Sequence, residues 1–234
     1  MKSIQTPNSP SCKLPSRLFH LLLGVIASAL LGGCSLLRPH DDPTRFYVLT
    51  VPPAATEHLV PGEFKRLKIG LKPVEVPAYL RSKCMVVRTG TNEIHFAEFD
   101  RWAEPLDLGI GRVMRQNLST ARNVAGVTFN PHGDNILDCE LLINIVSCEG
   151  VRVESGSSSI RFAAAWEIRA VGTNSTATRR GGFTVDKATW DGKSYAQLAE
   201  RLSEAIAGAS IALAADLPME AKPSPNATPD IVKP

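Results

Sequence analysis

Ile136-Leu137-Asp138-Cys139-Glu140-Leu141-Leu142-Ile143-Asn144-Ile145-Val146-Ser147 decides the fold class of this 234-residue chain. The odd positions Leu137, Cys139, Leu141, Ile143 and Ile145 make one apolar face, while Asp138, Glu140 and Asn144 share the other with Leu142 and Val146. A period of two is the signature of a half-buried strand. Residues 150–159 turn the chain, and Ile160, Phe162, Ala164, Trp166 and Ile168 then alternate with Arg161, Ala163, Ala165, Glu167 and Arg169 in a second long strand. A third strand near residues 182–185 follows a turn rich in Gly, Asn, Ser and Thr. The three predict an antiparallel meander with one face buried.

Upstream, residues 44–50 read as a strand, and 51–62, with Pro52, Pro53 and Pro61, as a loop. Leu67, Ile69 and Leu71 alternate with Lys68, Gly70 and Lys72. After Pro73 and Pro77, residues 84–88 and 93–96 form a hairpin across Thr89-Gly90-Thr91-Asn92. Glu104-Pro105 opens a helix, because proline tolerates a position whose N–H would have no partner and Asp107 complements the positive helix end. Leu106, Ile110, Val113, Met114 and Leu118 share its core face. Ser194 followed by Gln197 marks a capping box, and Tyr195, Leu198, Leu202, Ile206, Ala209 and Leu213 form the apolar stripe of a second helix ending near Leu217-Pro218. These elements predict an α+β single domain, a mainly antiparallel sheet with two amphipathic helices packed on it.

The first 34 residues follow a different pattern. A leader carrying Lys2, Lys13 and Arg17 precedes an apolar run over residues 21–31, closed by Gly32-Gly33-Cys34. This is a secretory signal with cleavage between Gly33 and Cys34, and it resembles the lipobox of bacterial lipoproteins. The apolar core is about a dozen residues, against ~20 needed to span a bilayer. Residues 1–33 are expected to be removed and the thiol of Cys34 to be acylated, so that the lipid is the one covalent addition and no cofactor is required. Residues 34–43 form a lipidated tether, 44–217 the domain, and 218–234 a proline-rich tail expected to be disordered. Eight or nine extended tether residues reach ~30 Å at most, which keeps the domain near its membrane.

A net charge of +3 with both signs dispersed gives no basic stripe for nucleic acid. Cys84, Cys139 and Cys148 would remain in the mature chain. Cys139 and Cys148 sit at opposite ends of one strand, beyond disulfide reach. This leaves either a bond from Cys84 to one of them or three unpaired thiols. No Cys/His spacing suits a metal. Motifs for a nucleophile elbow, a phosphate loop and a zinc helix are all missing, and His40, His58, His95 and His132 stand apart from one another in the sequence. The densest cluster is Glu98-Phe99-Asp100-Arg101-Trp102-Ala103-Glu104-Pro105. Its carboxylates Glu98, Asp100 and Glu104 suit acid/base chemistry, but the structural alternative outweighs it. Phe99 and Trp102 pack a strand-to-helix junction, Asp100 or Glu104 caps helix N–H groups, and Arg101 pairs with an acid. Phe99, Asp100, Arg101 and Trp102 are thus candidate partner-docking or junction residues.

This cluster also carries a resemblance. With Val74-Glu75-Val76-Pro77-Ala78-Tyr79-Leu80, Val87-Arg88-Thr89-Gly90, Arg45-Phe46-Tyr47-Val48-Leu49 and the helix over residues 198–212, it resembles the ABC-type transport auxiliary lipoproteins, most nearly the PqiC-like type. The resemblance implies an outer-membrane lipoprotein on the periplasmic face, acylated at Cys34. It also implies an MCE-type periplasmic protein as partner in lipid transport and outer-membrane integrity, with no catalytic residue. It leaves homo-oligomerisation open. Three further cysteines and the proline-rich tail depart from the pattern. Ser35, where an aspartate would retain a lipoprotein at the inner membrane, agrees with the outer membrane. The alternatives are an assembly or plug lipoprotein for an outer-membrane β-barrel, and an anchored hydrolase using Glu98, Asp100 or Glu104.

Overall fold

A computed structural model of the chain describes residues 41–53, 65–129, 136–153, 157–171, 177–186 and 188–218, with Arg17 and His20. Gly33, Cys34, the remaining leader and tether residues up to 40, and the tail from 219 lie outside the described residues. Contacts divide the chain into 1–43 and 44–234, and the strands and helices below all belong to the second unit. They are β1 (Arg45–Tyr47), β2 (Leu67–Leu71), β3 (Cys84–Arg88), β4 (Ile94–Trp102), α1 (Leu106–Ser119), β5 (Val124–Phe129), β6 (Cys139–Val151), β7 (Ser159–Ala170), β8 (Thr178–Val185) and α2 (Tyr195–Asp216), with a 3-10 helix at Ala78–Arg81.

β6, β7 and β8 form the expected antiparallel meander. β7 runs beside β6 from Cys139↔Ala170 to Val151↔Ser159, and β8 follows from Phe162↔Val185 to Arg169↔Thr178. Cys139, Leu141, Ile143 and Ile145 are at most 2% exposed, as the alternation requires. The register shifts between Ile145 and Ser147. Val146 is left exposed at the shift, and beyond it the core residue Cys148 is an even position. A bulge of this kind inserts one residue and reverses which parity faces inward.

A strand has two edges, and β7 fills one edge of β6 along its whole length. The partners on the other side must share what remains. β2 pairs in parallel with residues 139–141, and Glu75 continues that line with its N–H donating to the Ile143 carbonyl and its carbonyl accepting from Ile145 N–H. β3 pairs in parallel at Val87↔Gly150 and Arg88↔Val151. β5 then pairs parallel to β2, β4 antiparallel to β3, and β1 parallel to β4. The sheet of eight strands is therefore mixed. Its long pairings are antiparallel, while four shorter ones are parallel. The hairpin of β3 and β4 is as expected, whereas β5 and the parallel pairings were not foreseen.

α1 and α2 pack against each other and cover one face of the sheet. Leu106, Ile110, Val113, Met114 and Leu118 of α1 and Leu198, Leu202, Ile206, Ala209 and Leu213 of α2 are all buried. Gly150 gives α2 its approach, since a Cβ there would overlap Trp190 and crowd Leu198. The capping box is only half formed. Ser194 Oγ accepts from Gln197 N–H at 3.2 Å, but Gln197 reaches back to Asp191 N–H, and Asp191 takes the Ser194 and Lys193 amides. α1 has Pro105 at its N-cap with no side-chain cap, so neither Asp100 nor Glu104 plays the capping part.

Glu149 is a buried acid at the far end of β6, 1% exposed. Its Oε1 accepts from Arg88 Nε at 2.6 Å, tying β3 to β6 beside their parallel pairs. Burial, then this carboxylate, pushes the Tyr79 hydroxyl up to about 12. Removing one partner of a buried pair costs about 3–5 kcal/mol.

Trp166 Nε1 donates to Asp216 Oδ2 at 3.0 Å, fastening the end of α2 to the sheet directly over Gly181. A Cβ at Gly181 would overlap both groups, whereas one at Gly126 meets nothing within 4 Å. Gly181→Ala should therefore cost about 1–3 kcal/mol, while Gly126→Ala is neutral or slightly stabilising. Thermal melts of the two variants check this, and equal melting temperatures would refute it.

Cys84, Cys139 and Cys148 are all free thiols. Burial pushes Cys139 up to about 11 and Cys148 up to about 12, with the Asp138 and Glu149 charges adding to it. Thiolate is the reactive form, and a raised pKa keeps both protonated until well above neutral pH. At pH 8 a thiol reagent is expected to modify half-buried Cys84 in the folded protein, and Cys139 and Cys148 only after denaturation, as read by mass spectrometry of the labelled peptides.

Candidate functional site

Residues Phe99, Asp100, Arg101 and Trp102 form the end of β4, and after three more residues α1 begins at Leu106. Between Cys84↔Arg101 and Met85↔Ala97 the strand β4 carries three residues that β3 does not match, Glu98, Phe99 and Asp100. The Arg101 side chain closes this irregularity by donating from Nε to the Glu98 carbonyl at 2.8 Å. It does not pair with a carboxylate as its spacing suggested. Trp102 N–H donates to the Lys83 carbonyl at 2.7 Å, which returns the strand to register.

Alternation then assigns each residue a side. Asp100 and Trp102 point into the protein at 7% and 6% exposure, while Phe99 is 51% exposed. Asp100 Oδ1 accepts from the Tyr47 hydroxyl at 2.9 Å and from Arg45 Nη2 at 2.8 Å. These bonds run from β4 to β1, whose residues lie in register Arg45↔Asp100, Phe46↔Arg101 and Tyr47↔Trp102. Burial first, then the bond to Asp100, raises the pKa of Tyr47, so the phenol stays a donor. Asp100 is in effect the clasp of the first strand. Its partners were missed in the sequence because they lie 53 and 55 residues away; the clue was a basic and a hydroxylated residue on one parity of the 44–50 strand.

The three carboxylates do not converge. Glu104 is engaged by Arg112, whose Nη2 also donates to the Leu49 carbonyl at 2.8 Å. Glu98 is exposed, and Asp100 is held by Arg45 and Tyr47. A concavity of about 450 Å³ lies on the face away from the helices, bounded by Lys72, Glu75, Leu142, Asn144, Glu167 and Arg180. One of its two acids, Glu167, is held ionised by hydrogen bonds from Arg169 and Arg180. Among the described residues no cluster of three His, Cys, Asp or Glu side chains is arranged to hold a metal.

The model of the ABC-type transport auxiliary lipoprotein component family matches residues 47–214, from the last residue of β1 almost to the end of α2. Two solved structures share the fold. The crystal structure of an uncharacterized protein is 17% identical, with 74% of this chain and 97% of that one covered and a TM-score of 0.55. A Xanthomonas campestris protein of the DUF330 family is 13% identical, with 73% and 93% covered and a TM-score of 0.59. No curated protein matches the chain. With 168 consecutive residues matched out of 234, the chain belongs to the ABC-type transport auxiliary lipoprotein component family.

Proposed function

We propose that the chain is a lipoprotein acylated at Cys34, anchored to the periplasmic face of the outer membrane, and acting as a non-enzymatic auxiliary subunit of an MCE/ABC-type intermembrane lipid transport system that keeps the outer membrane intact. The observation that carries this reading is the family match over residues 47–214, which begins thirteen residues after Cys34. The domain so matched stands immediately behind a lipobox. Among the described residues no helix is long and apolar enough to cross a membrane, and two or three acyl chains on Cys34 would hold the domain stably. The candidate carboxylates support a non-catalytic part, since Asp100 and Glu104 are each taken by an arginine that serves the fold.

An auxiliary component of an ABC-type system works beside partner subunits, and the partner in this reading is an MCE-type periplasmic protein. Trp102 is a poor probe of that contact. It is 6% exposed, and truncating a buried tryptophan costs about 3–5 kcal/mol. Trp102→Ala is therefore expected to lower the melting temperature sharply, and any loss of partner through it reports folding.

Mass spectrometry of the N-terminal peptide should show acylation at Cys34. Cys34→Ala should yield a folded, soluble domain that fails to restore the permeability barrier of a deletion strain. Affinity purification of the acylated protein in mild detergent should recover an MCE-type protein; recovery of a β-barrel in its place would favour the assembly or plug role. Full complementation by the soluble form would sink the anchored reading.

A further inference from the structure

The corner formed by β1 and the end of β4 exposes more large apolar surface than the fold needs. Phe46 is 63% exposed, Phe99 51%, Val48 48% and Phe96 38%. They lie on one side. Tyr47 and Leu49 point inward, so Phe46 and Val48 point out. Phe46 is in register with Arg101, and Phe99 is two residues from Arg101 on the outward parity. Phe96 pairs with Val86 on the parity opposite to buried Ala97. The inward neighbours Tyr47, Asp100 and Trp102 hold the corner together, and the phenylalanines take no part in that. Adjacent exposed aromatics on a protein this size mark a contact surface.

Three features identify what covers it. The first is position in the chain, because Phe46 is the third residue after residues 35–43. Nine extended residues span at most ~30 Å, so the first strand is never further than that from its anchor. The second is composition. Aromatic side chains partition to the boundary between headgroups and acyl chains. The third is charge, as the half-buried Arg101 lies opposite Phe46, and the Arg45 guanidinium, bonded to Asp100, still leaves 65% of its side chain exposed next to Phe46 in sequence. We infer that Phe46, Phe99, Val48 and Phe96 seat in the headgroup region of the leaflet that carries the Cys34 lipid, so that the domain is oriented by its own surface as well as tethered. This rests on the reading of Cys34 as the acylated residue. Interfacial side chains of this kind enter about 5–10 Å.

The test uses the acylated mature protein on vesicles of phosphatidylethanolamine and phosphatidylglycerol, with bromine placed high on the acyl chains. Phe46→Trp adds a fluorophore to the corner, and Ile211→Trp adds one at a 72% exposed site on α2. Most of the fluorescence added by Phe46→Trp should be lost on brominated vesicles relative to unbrominated ones, with no loss for Ile211→Trp. Equal quenching at both sites, or none at either, overturns the inference. The mass of the Cys34 peptide reads the anchor separately. An acylated protein without quenching removes the seated corner alone, while an unacylated one removes the anchor and the corner with it. Sedimentation of a Cys34→Ala protein with and without Phe46→Ser/Phe99→Ser, both checked for folding by circular dichroism, supplies the competing outcome. A shift from oligomer to monomer on adding the serines, without quenching, assigns the surface to a second copy and overturns the membrane contact.

Discussion

Everything in this fold depends on β6 having one edge filled by β7 and one edge left to share. The 13 residues of β6 are long enough to template β2 at one end and β3 at the other, with Glu75 bridging between. Among the described residues, the two half-sheets, β2 with β5 and β3 with β4 and β1, are linked by strand pairing only through that edge. Val146 makes the arrangement workable. The bulge there adds twist between the region that meets β2 and the region that meets β3, as bulges do, and it reverses parity so that Cys148 and Gly150 face α2. The buried Glu149 follows from the same reversal, lying on the side away from α2 where Arg88 can reach it.

This explains which parts were legible in the sequence. β6, β7 and β8 announced themselves because one face is buried and the other open, so that polarity alternates along the chain. Both helices were equally plain from their apolar stripes. β2 alternated as well, although it pairs only in parallel, but β3 and β5 carried a weaker signal. β3 reads Met85-Val86-Val87 with all three buried, and a strand covered on both sides loses its alternation. β5 has Gly126 in its middle and half-buried residues on both parities, which leaves no pattern to count. Pairing order was illegible for a further reason: nothing local in β2 or β3 says that they share the edge of a strand more than fifty residues ahead.

The site was legible in part. Phe99, Asp100, Arg101 and Trp102 stood out as a dense and unusual group, but the capping expected of Asp100 and the acid pairing expected of Arg101 are not what these side chains do. Because β4 runs on to Trp102, alternation replaces capping as the governing rule. Asp100 then binds backwards in sequence to Arg45 and Tyr47. Arg101 is spent on a backbone carbonyl of its own strand. Long-range partners of this kind leave no spacing for a sequence pattern to catch.

The string that most resembles the family is therefore largely a record of how the first strand is attached. Three of its four residues are accounted for by folding: Asp100 clasps β1, Arg101 closes the irregular stretch of β4, and Trp102 fills the core beside Tyr47. Each is needed whatever the protein does, so a defect caused by changing any of them speaks first of stability. Phe99 is different. It is 51% exposed, makes no bond that holds the corner, and sits where hydration of an aromatic ring works against solubility. A residue with a cost in water and no return from the fold has its benefit outside the molecule, and Phe46 across the same corner is in the same position. Function in this chain is accordingly sought on the outward parity of β1 and β4, while the inward parity explains why that surface exists at all.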